Sequence, residues 1–506
     1  MLTSFKALLV ILVLAWGVFH FTKPICLEWM TLDTFKRRRN VWFALTIVAF
    51  LSPAFWIYAL FAIGLLSWAG ARDKNPLALF ALITFTVPDV RYYIPGLLVN
   101  QLFDLSQYRI MSLAIVIPYI FRAFKPSEVN FHRKLRTGDV FLGAFLLLQI
   151  VVQFPYESFT AAMRHAFLTT IDTFIIFYAF SRLSSKQRVS DAMMCFFLAV
   201  AIMAPIAIVE WAKNWLLYTE LAERWGDPNV FGYLMRGGSL RAQAATNHSL
   251  NLGYLLAMGL VFYMYLRSAR TIRKSIDAAI IATFCVALFA TGSRGAWLTA
   301  VIAASIFALF RPGALRKFVG VVTVSAAVVV LMYFSPLKES VIDRLPIIGN
   351  TDQDTIDYRQ QLAEISWTLI RQKPFFGDIF AAQSMESLKQ GQGIIDVVNG
   401  YIFTALFYGL VGLALQVGVF LVSLFGVGLA LRREKWLDQQ TVLLGAALLG
   451  SFVGTLFFIA TAGYGTTSYI LSGMLVSFAA FAKSQTTESP ANPSLLPNSW
   501  RVRGAV

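Results

Sequence analysis

The chain has 506 residues, 58% hydrophobic and 14% charged, with a formal net charge of +16. A soluble domain carries about 25% charged residues, so a soluble globular enzyme is excluded, and repeated apolar runs near span length point to an all-α, polytopic helical membrane protein. The positive charge lies in short loops between apolar runs, as the positive-inside rule expects, and no zinc-type spacing or aromatic-rich basic module accompanies it, which argues against nucleic acid as a partner.

Apolar runs fall at roughly 5–21, 41–69, 76–88, 109–123, 138–155, 168–182, 191–212, 247–266, 275–291, 297–310, 318–334, 398–430, 441–460 and 466–483, which predicts about 12–14 spans. The first run follows Lys6 and lacks a clean small-residue cleavage site, so it is expected to be an uncleaved anchor. The run 41–69 contains Pro53 and is either one broken helix or a tight hairpin. Basic clusters at Lys36 to Arg39, Arg122 to Arg136, Arg182 to Arg188, Arg267 to Lys274, Arg311 to Lys317 and Arg432 to Lys435 alternate with less basic loops and are assigned to the cytoplasmic side. Arg72 and Lys74 fit that scheme only if 41–69 turns back on itself.

The opposite face then carries 89–107, 156–167, 213–246, the turn 292–296 and the long loop 335–397. Within the long loop, Ile356, Leu362, Ile365 and Leu369 recur near helical spacing, which predicts an amphipathic helix ended by Pro374. A second such helix is expected over Asn214 to Trp225. The organisation is therefore 1–75 N-terminal spans and basic loops, 76–334 membrane core, 335–397 a large non-cytoplasmic loop, 398–483 C-terminal spans, and 484–506 a polar, Pro-rich tail expected to be disordered and cytoplasmic. Cys26, Cys195 and Cys285 are far apart with no CxxC and read as packing residues.

Three polar stations stand at the edges of apolar runs on the same predicted face: Arg241 in RAQAATNHSL, Arg294 in TGSRGAWL and Asn399 in DVVNGYIF. A guanidinium donates parallel hydrogen bonds to a phosphate, so Arg241 is either a phosphate ligand or an interfacial arginine that snorkels to headgroups. Arg294 sits in a turn of about five residues between apolar runs and needs a partner there; a diphosphate or a helix-end carbonyl would serve. Asn247 and His248 open the next span, and a histidine of near-neutral pKa suits a general base or a phosphate donor. Tyr358 and Arg359 open the amphipathic helix and form a third cluster that would lie over a membrane cavity; the alternative is a solvated helix face. Asn399 either orients a sugar hydroxyl or caps a helix. Glu210 and Asp172 are acids near apolar runs, functional candidates by position, and His165 is a weaker one. No Walker A sequence, GxGxxG, HExxH or outer-loop DxD is present, so neither a nucleotide cofactor nor a metal is expected.

The stretches RAQAATNHSLNLGYLLAMGL, TGSRGAWLTA, DYRQQLAEISWTLIRQKPFFG and GQGIIDVVNGYIFTALFYGLVGL resemble, in sequence and order, the O-antigen ligase and polymerase superfamily of bacterial membrane glycosyltransferases, over roughly residues 76–483. The resemblance implies an undecaprenyl-diphosphate-linked glycan donor, a glycan acceptor, membrane lipids around the spans, a site on the periplasmic face of the inner membrane, and Arg241 and Arg294 as the diphosphate holders. Members often carry His-Asn where this chain has Val398-Asn399, which leaves the group that activates the acceptor open, with His248 as the substitute. A polymerase of exopolysaccharide or O-antigen repeat units, with a chain-length regulator protein as a partner, is the leading expectation. A ligase to lipid A-core or protein is its rival, and a flippase for a lipid-linked sugar is the reading from another class.

Overall fold

The computed structural model describes residues 2–94, 103–123, 135–227, 232–236, 238–269, 273–311, 353–389, 397–432, 437–463 and 465–488, with residue 395 and scattered positions between 313 and 330. The expectations for the tail beyond 488, for the loop before 353, and for parts of the basic loops fall outside the described residues.

The protein is an all-α helical bundle with two short antiparallel pairs, β1 (Tyr92–Ile94) with β2 (Phe103–Leu105) and β3 (Met235–Arg236) with β4 (Ser239–Leu240). Among the described residues, seven helical segments are long and apolar enough to cross a membrane: Thr3–Cys26, Phe55–Arg72, Thr137–Tyr156, Lys186–Lys213, Ser249–Leu266, Gly400–Leu431 and Gln439–Thr461. Fewer segments qualify than the sequence runs suggested because several runs lie on short or interrupted helices. The run 76–88 forms only Pro76–Ile83, and the runs 109–123 and 168–182 are each broken by a π-helical turn, Ser112–Val116 and Thr170–Phe174.

Helices are named here in chain order as α1 (Leu2–Cys26), α2 (Leu32–Leu51), α3 (Phe55–Arg72), α4 (Lys186–Lys213), α5 (Ser249–Leu266), α6 (Lys274–Ala290), α7 (Arg294–Leu309), α8 (Gln353–Gln372), α9 (Gly400–Leu431), α10 (Gln439–Thr461) and α11 (Thr466–Glu488). The centre is built from α4, α5 and α10; 83% of the most apolar stretch of α4 is buried. Peripheral α1 and α9 expose Val13, Trp16, Leu421 and Phe425 instead, as lipid-facing helices do. Small residues let the central helices approach. Gly450 and Gly454 of α10, spaced four apart, meet Ala303 and Thr299 of α7 so closely that a Cβ on Gly450 would lie 2.5 Å from the Ala303 carbonyl oxygen.

The question left open at Pro53 is resolved as a hairpin. Arg38, in the second turn of α2, donates to Asp73, just beyond α3, at 2.8 and 2.9 Å, so the two helices run antiparallel. Arg38 also donates to Asp191 near the start of α4 at 2.6 and 2.9 Å, and Asn75 joins the same carboxylate. Arg72 and Lys74 therefore lie at the basic end of the bundle with Lys36 to Arg39. The starts of α5, α7, α9 and α11 and the ends of α4, α6 and α10 meet at the opposite end.

The amphipathic helix of the long loop is present as α8. Tyr358, Leu362, Ile365 and Leu369 form one stripe at spacings of four and three and pack against Ala405 and Leu406 of α9, with Ala381, Met385 and Leu388 completing the cluster. The second expected amphipathic segment is reduced to a short helix, Thr219–Arg224, whose Leu221 and the following Trp225 are buried.

The apolar run 398–430 is a broken helix. Gly409 has φ +68° and ψ −174°, and the segment after α8 inserts at that point: Leu410 N–H donates to Pro374 O at 2.7 Å, Val411 N–H to Phe375 O at 3.2 Å, and Asp378 N–H to Leu406 O at 2.9 Å. The loop thus satisfies backbone groups that the break would leave bare. Gly377, φ +70°, packs directly on this backbone. A Cβ on Gly409 would fall 2.2 Å from the Phe375 carbonyl oxygen, in a conformation open essentially to glycine alone. Gly409→Ala is expected to destabilise the protein by about 1–3 kcal/mol from strain alone, read as a lowered melting temperature in detergent, while Gly428→Ala, with open space around its Cβ, stays near wild type.

Candidate functional site

At the end of the bundle opposite the basic loops, α6 and α7 are joined by the tight turn Thr291 to Ser293. Gly292 is left-handed, φ +58°, and the Ser293 side chain caps α7 by accepting from Ala296 N–H. The β3–β4 hairpin folds over this turn. Ala242 N–H donates to Ala290 O at 3.0 Å, Arg241 Nε donates to Thr291 O at 3.1 Å, and Arg236 donates through a terminal nitrogen to Gly292 O at 2.9 Å. The turn runs directly into Arg294, the half-buried first residue of α7. Three guanidinium-bearing residues from two segments more than 50 positions apart therefore gather at one turn. Two of them, Arg241 and Arg294, stood out in the sequence; Arg236 did not, although it is the nearest basic residue upstream of Arg241.

The loop after β4 is held from below by Glu210. This fully buried carboxylate near the end of α4 accepts from the backbone N–H of Leu217 (3.1 Å), Gln243 (3.0 Å) and Ala244 (2.8 Å). Ala244 is thereby kept at φ +46°, uncommon for a residue with a Cβ. Glu210 is a backbone clamp, which accounts for an acid at that depth. Asp172 is likewise engaged: Arg109 donates to it at 2.6 and 3.1 Å. Arg109 also pairs with Asp104.

Asn247 and His248 follow. Asn247 is left-handed, φ +62°, its amide nitrogen 3.4 Å from Asp89 O. His248 is the N-cap of α5, with Nδ1 accepting from Leu250 N–H at 3.1 Å. That contact places the ring proton on Nε2, so the ring presents a donor, the second of the two roles its position suggests. Burial, with Arg241 nearby, pushes its pKa down to about 4. The sign follows: above about 6.5 both folded and unfolded chains carry a neutral ring, and as pH falls toward about 4 only the unfolded chain takes up the proton, so stability declines across that window. Two results are expected. The pH–rate profile has no limb from His248 between about pH 5 and 8, and His248→Asn, which can retain the cap, leaves the profile's shape unchanged. A limb near pH 6.5 that disappears in the variant would contradict this protonation state.

A cavity of about 400 Å³ opens on the other side of this loop. Asn247 and Asn251 contribute from the start of α5, Asp89 from the segment before β1, and Thr466 to Ser468 from the start of α11. Arg109 and Asp172 line it as a pair, and the stacked rings of Tyr254 and Phe458, 4.6 Å apart, form an aromatic wall. Asn247 and Asp172 are thus the sequence-predicted candidates in the lining, and the arginine turn adjoins the cavity through His248, the chain neighbour of Asn247. The turn and the cavity also approach through α10: Gly295 packs on Thr461, two residues before Gly463 of the lining.

For two further stations the structure shows the second of the alternatives their sequence leaves open. Tyr358 and Arg359 do not stand over this cavity. Helical spacing puts Tyr358 on the stripe that packs against α9, and Arg359 points to the exposed side of α8. Asn399 is a helix cap, its Oδ1 accepting from Tyr401 N–H at 3.0 Å and Ile402 N–H at 3.1 Å; it sits at the same end of the bundle but outside the lining.

Comparison with protein-family models matches residues 278–417 to the O-antigen ligase family. The match takes in most of α6, all of α7 with Arg294, α8, the docked 374–378 segment and the broken first half of α9. A search of curated proteins found no match to the chain. The turn that carries Arg294 and the docked loop are therefore both within the matched segment, and the hairpin with Arg236 and Arg241 packs against it from outside.

Proposed function

We propose, for a chain that belongs to the O-antigen ligase and polymerase superfamily, that it is a polymerase of the bacterial inner membrane, joining undecaprenyl-diphosphate-linked oligosaccharide repeat units at the periplasmic face. An acceptor sugar hydroxyl attacks the donor's anomeric carbon, and the carrier diphosphate leaves with the bonding electron pair. Negative charge grows on the diphosphate as the bond breaks, and preorganised cations at that point lower the barrier more than they stabilise the bound donor. The observation that supports this is the gathering of Arg236, Arg241 and Arg294 at the 291–294 turn, two of them oriented by backbone carbonyls. Oriented guanidinium groups do for a diphosphate what a divalent ion does elsewhere, so the reading requires no metal. The spans flanking the turn leave the polyprenyl tail in lipid.

A ligase would use the same donor station with a different acceptor. A flippase would bind the diphosphate and make no bond, and would need charged residues along the whole crossing rather than at one end. The test is purified protein incubated with lipid-linked repeat unit alone. A ladder of longer lipid-linked glycans with release of carrier diphosphate supports the polymerase. Transfer only on addition of a second acceptor, such as lipid A-core, would replace it with the ligase, and glycan of unchanged length in both cases would remove glycosyl transfer.

A further inference from the structure

The cavity beside the arginine turn has the make-up of a carbohydrate subsite. Sugar rings are bound by an aromatic face against their C–H surface and by planar polar side chains against their hydroxyls; here Tyr254 and Phe458 supply the face, and Asn247, Asn251 and Asp89 the polar edge. The Asn247 side-chain oxygen is buried and makes no hydrogen bond among the described residues, a cost that a donor from outside the protein would remove. The left-handed backbone at Asn247 and the Glu210 clamp two residues below Thr246 hold this amide in place.

The carboxylates of the cavity are not equivalent. Asp172 and the adjacent Asp104 are both tied to the Arg109 guanidinium. Asp89 instead meets neutral donors, the Tyr108 N–H at 3.2 Å and the Ser106 hydroxyl. Its other charged or titratable neighbours are Arg91, Asp172 and the Tyr108 phenol. Burial pushes the Asp89 carboxyl up from its ordinary value, against the opposing effects of Ser106, the Tyr108 N–H and Arg91. A cavity-lining carboxylate of raised basicity, with no arginine or lysine hydrogen-bonded to it among the described residues, suits proton acceptance from a hydroxyl.

Resting on the glycosyl-transfer reading above, we infer that this cavity seats the acceptor sugar and that Asp89 is the base for its hydroxyl. The acceptor oxygen forms the new bond to the donor's anomeric carbon as its proton passes to an Asp89 carboxylate oxygen. The bond from that carbon to the diphosphate breaks, and the electron pair departs with the diphosphate toward the arginine turn. The proton is later lost from Asp89 to water. This assigns the step that Val398 leaves without a histidine.

The test uses the full chain in detergent or nanodiscs, lipid-linked repeat unit as donor, and the same oligosaccharide released from its lipid as acceptor. Asp89→Asn is expected to lower kcat by about a hundredfold with the KM for donor unchanged, and Asp89→Glu to recover part of that loss. The wild-type rate should fall on the acid side as the Asp89 carboxyl protonates, and that limb should be missing in Asp89→Asn. Asn251→Ala, an exposed side chain whose loss leaves packing intact, should raise the acceptor KM several-fold and leave the donor KM alone. It decides the subsite even if Asp89→Asn misfolds. Asp89→Asn turning over near the wild-type rate, or Asn251→Ala raising the donor KM instead, would overturn this assignment while leaving the transferase reading standing. Wild-type protein that makes no glycosidic bond would overturn both.

Discussion

Arg294→Ala and Arg241→Ala are each expected to lower the rate of glycosyl transfer by about a hundredfold or more while the protein still inserts and elutes as a single species. Removing one donor aimed at developing negative charge costs about 10²–10³ in rate, or about 2.7–4 kcal/mol of barrier. The two sites should respond differently to lysine. Arg241 donates through Nε to the Thr291 carbonyl, a geometry an ammonium on a flexible stem does not reproduce, so Arg241→Lys should recover little. Arg294 is the first residue of α7, where a lysine would keep a positive charge beside the turn, so Arg294→Lys should recover more by charge alone. Arg236→Ala is expected to fall between wild type and these two, because its contact with Gly292 O steadies the turn. The measurement is initial rate of carrier release at saturating donor, with binding of donor followed separately. Unaltered turnover in either alanine variant would take that arginine out of the site.

Arg38→Ala should produce the largest loss of stability. Arg38 is 2% exposed and makes four hydrogen bonds to Asp73 and Asp191, themselves buried. Removing it leaves two carboxylates facing one another without their cation, and breaking a buried pair in this way costs about 3–5 kcal/mol. The neighbouring Arg37 also reaches Asp73, at 3.6 Å, but is partly exposed, so Arg37→Ala should cost about 1 kcal/mol or less. Melting followed by intrinsic tryptophan fluorescence in detergent separates the two. Arg38→Met combined with Asp73→Asn and Asp191→Asn removes the stranded charges and should restore much of the loss. A triple variant no more stable than Arg38→Ala would mean that shape at this junction, rather than charge, is what holds the hairpin to α4.

Much of this molecule is legible in the chain because membrane physics writes itself into local sequence. Apolar runs mark helices, basic loops mark one end of the bundle, and an arginine beside a span is costly enough to stand out, as Arg241 and Arg294 do. What was not legible depends on partners distant in sequence. Pro53 is compatible with a broken helix or a hairpin, and only the Arg38–Asp73–Asp191 network decides between them. Asp89 reads as a loop acid until the fold sets it beside Asn247. Glu210 reads as an intramembrane acid with a function, yet its oxygens are taken by three backbone N–H groups. Asn399 and Tyr358 show the converse: a cap and an amphipathic stripe use the same residue types as a binding site, and here the structural use prevails. The break at Gly409 is hidden because glycine is common in membrane helices, and nothing local announces that residues 374–378 will dock there.

The central claim is that the arginine turn recognises the diphosphate. Its most direct measurement is the dissociation constant of the purified protein for undecaprenyl diphosphate and for undecaprenyl monophosphate, in the wild type and in the combined Arg241→Ala and Arg294→Ala variant. The account predicts markedly tighter binding of the diphosphate by the wild type, and loss of that preference in the variant with the monophosphate affinity little changed. Equal affinity of the wild type for the two lipids, or an undiminished preference in the variant, would contradict it.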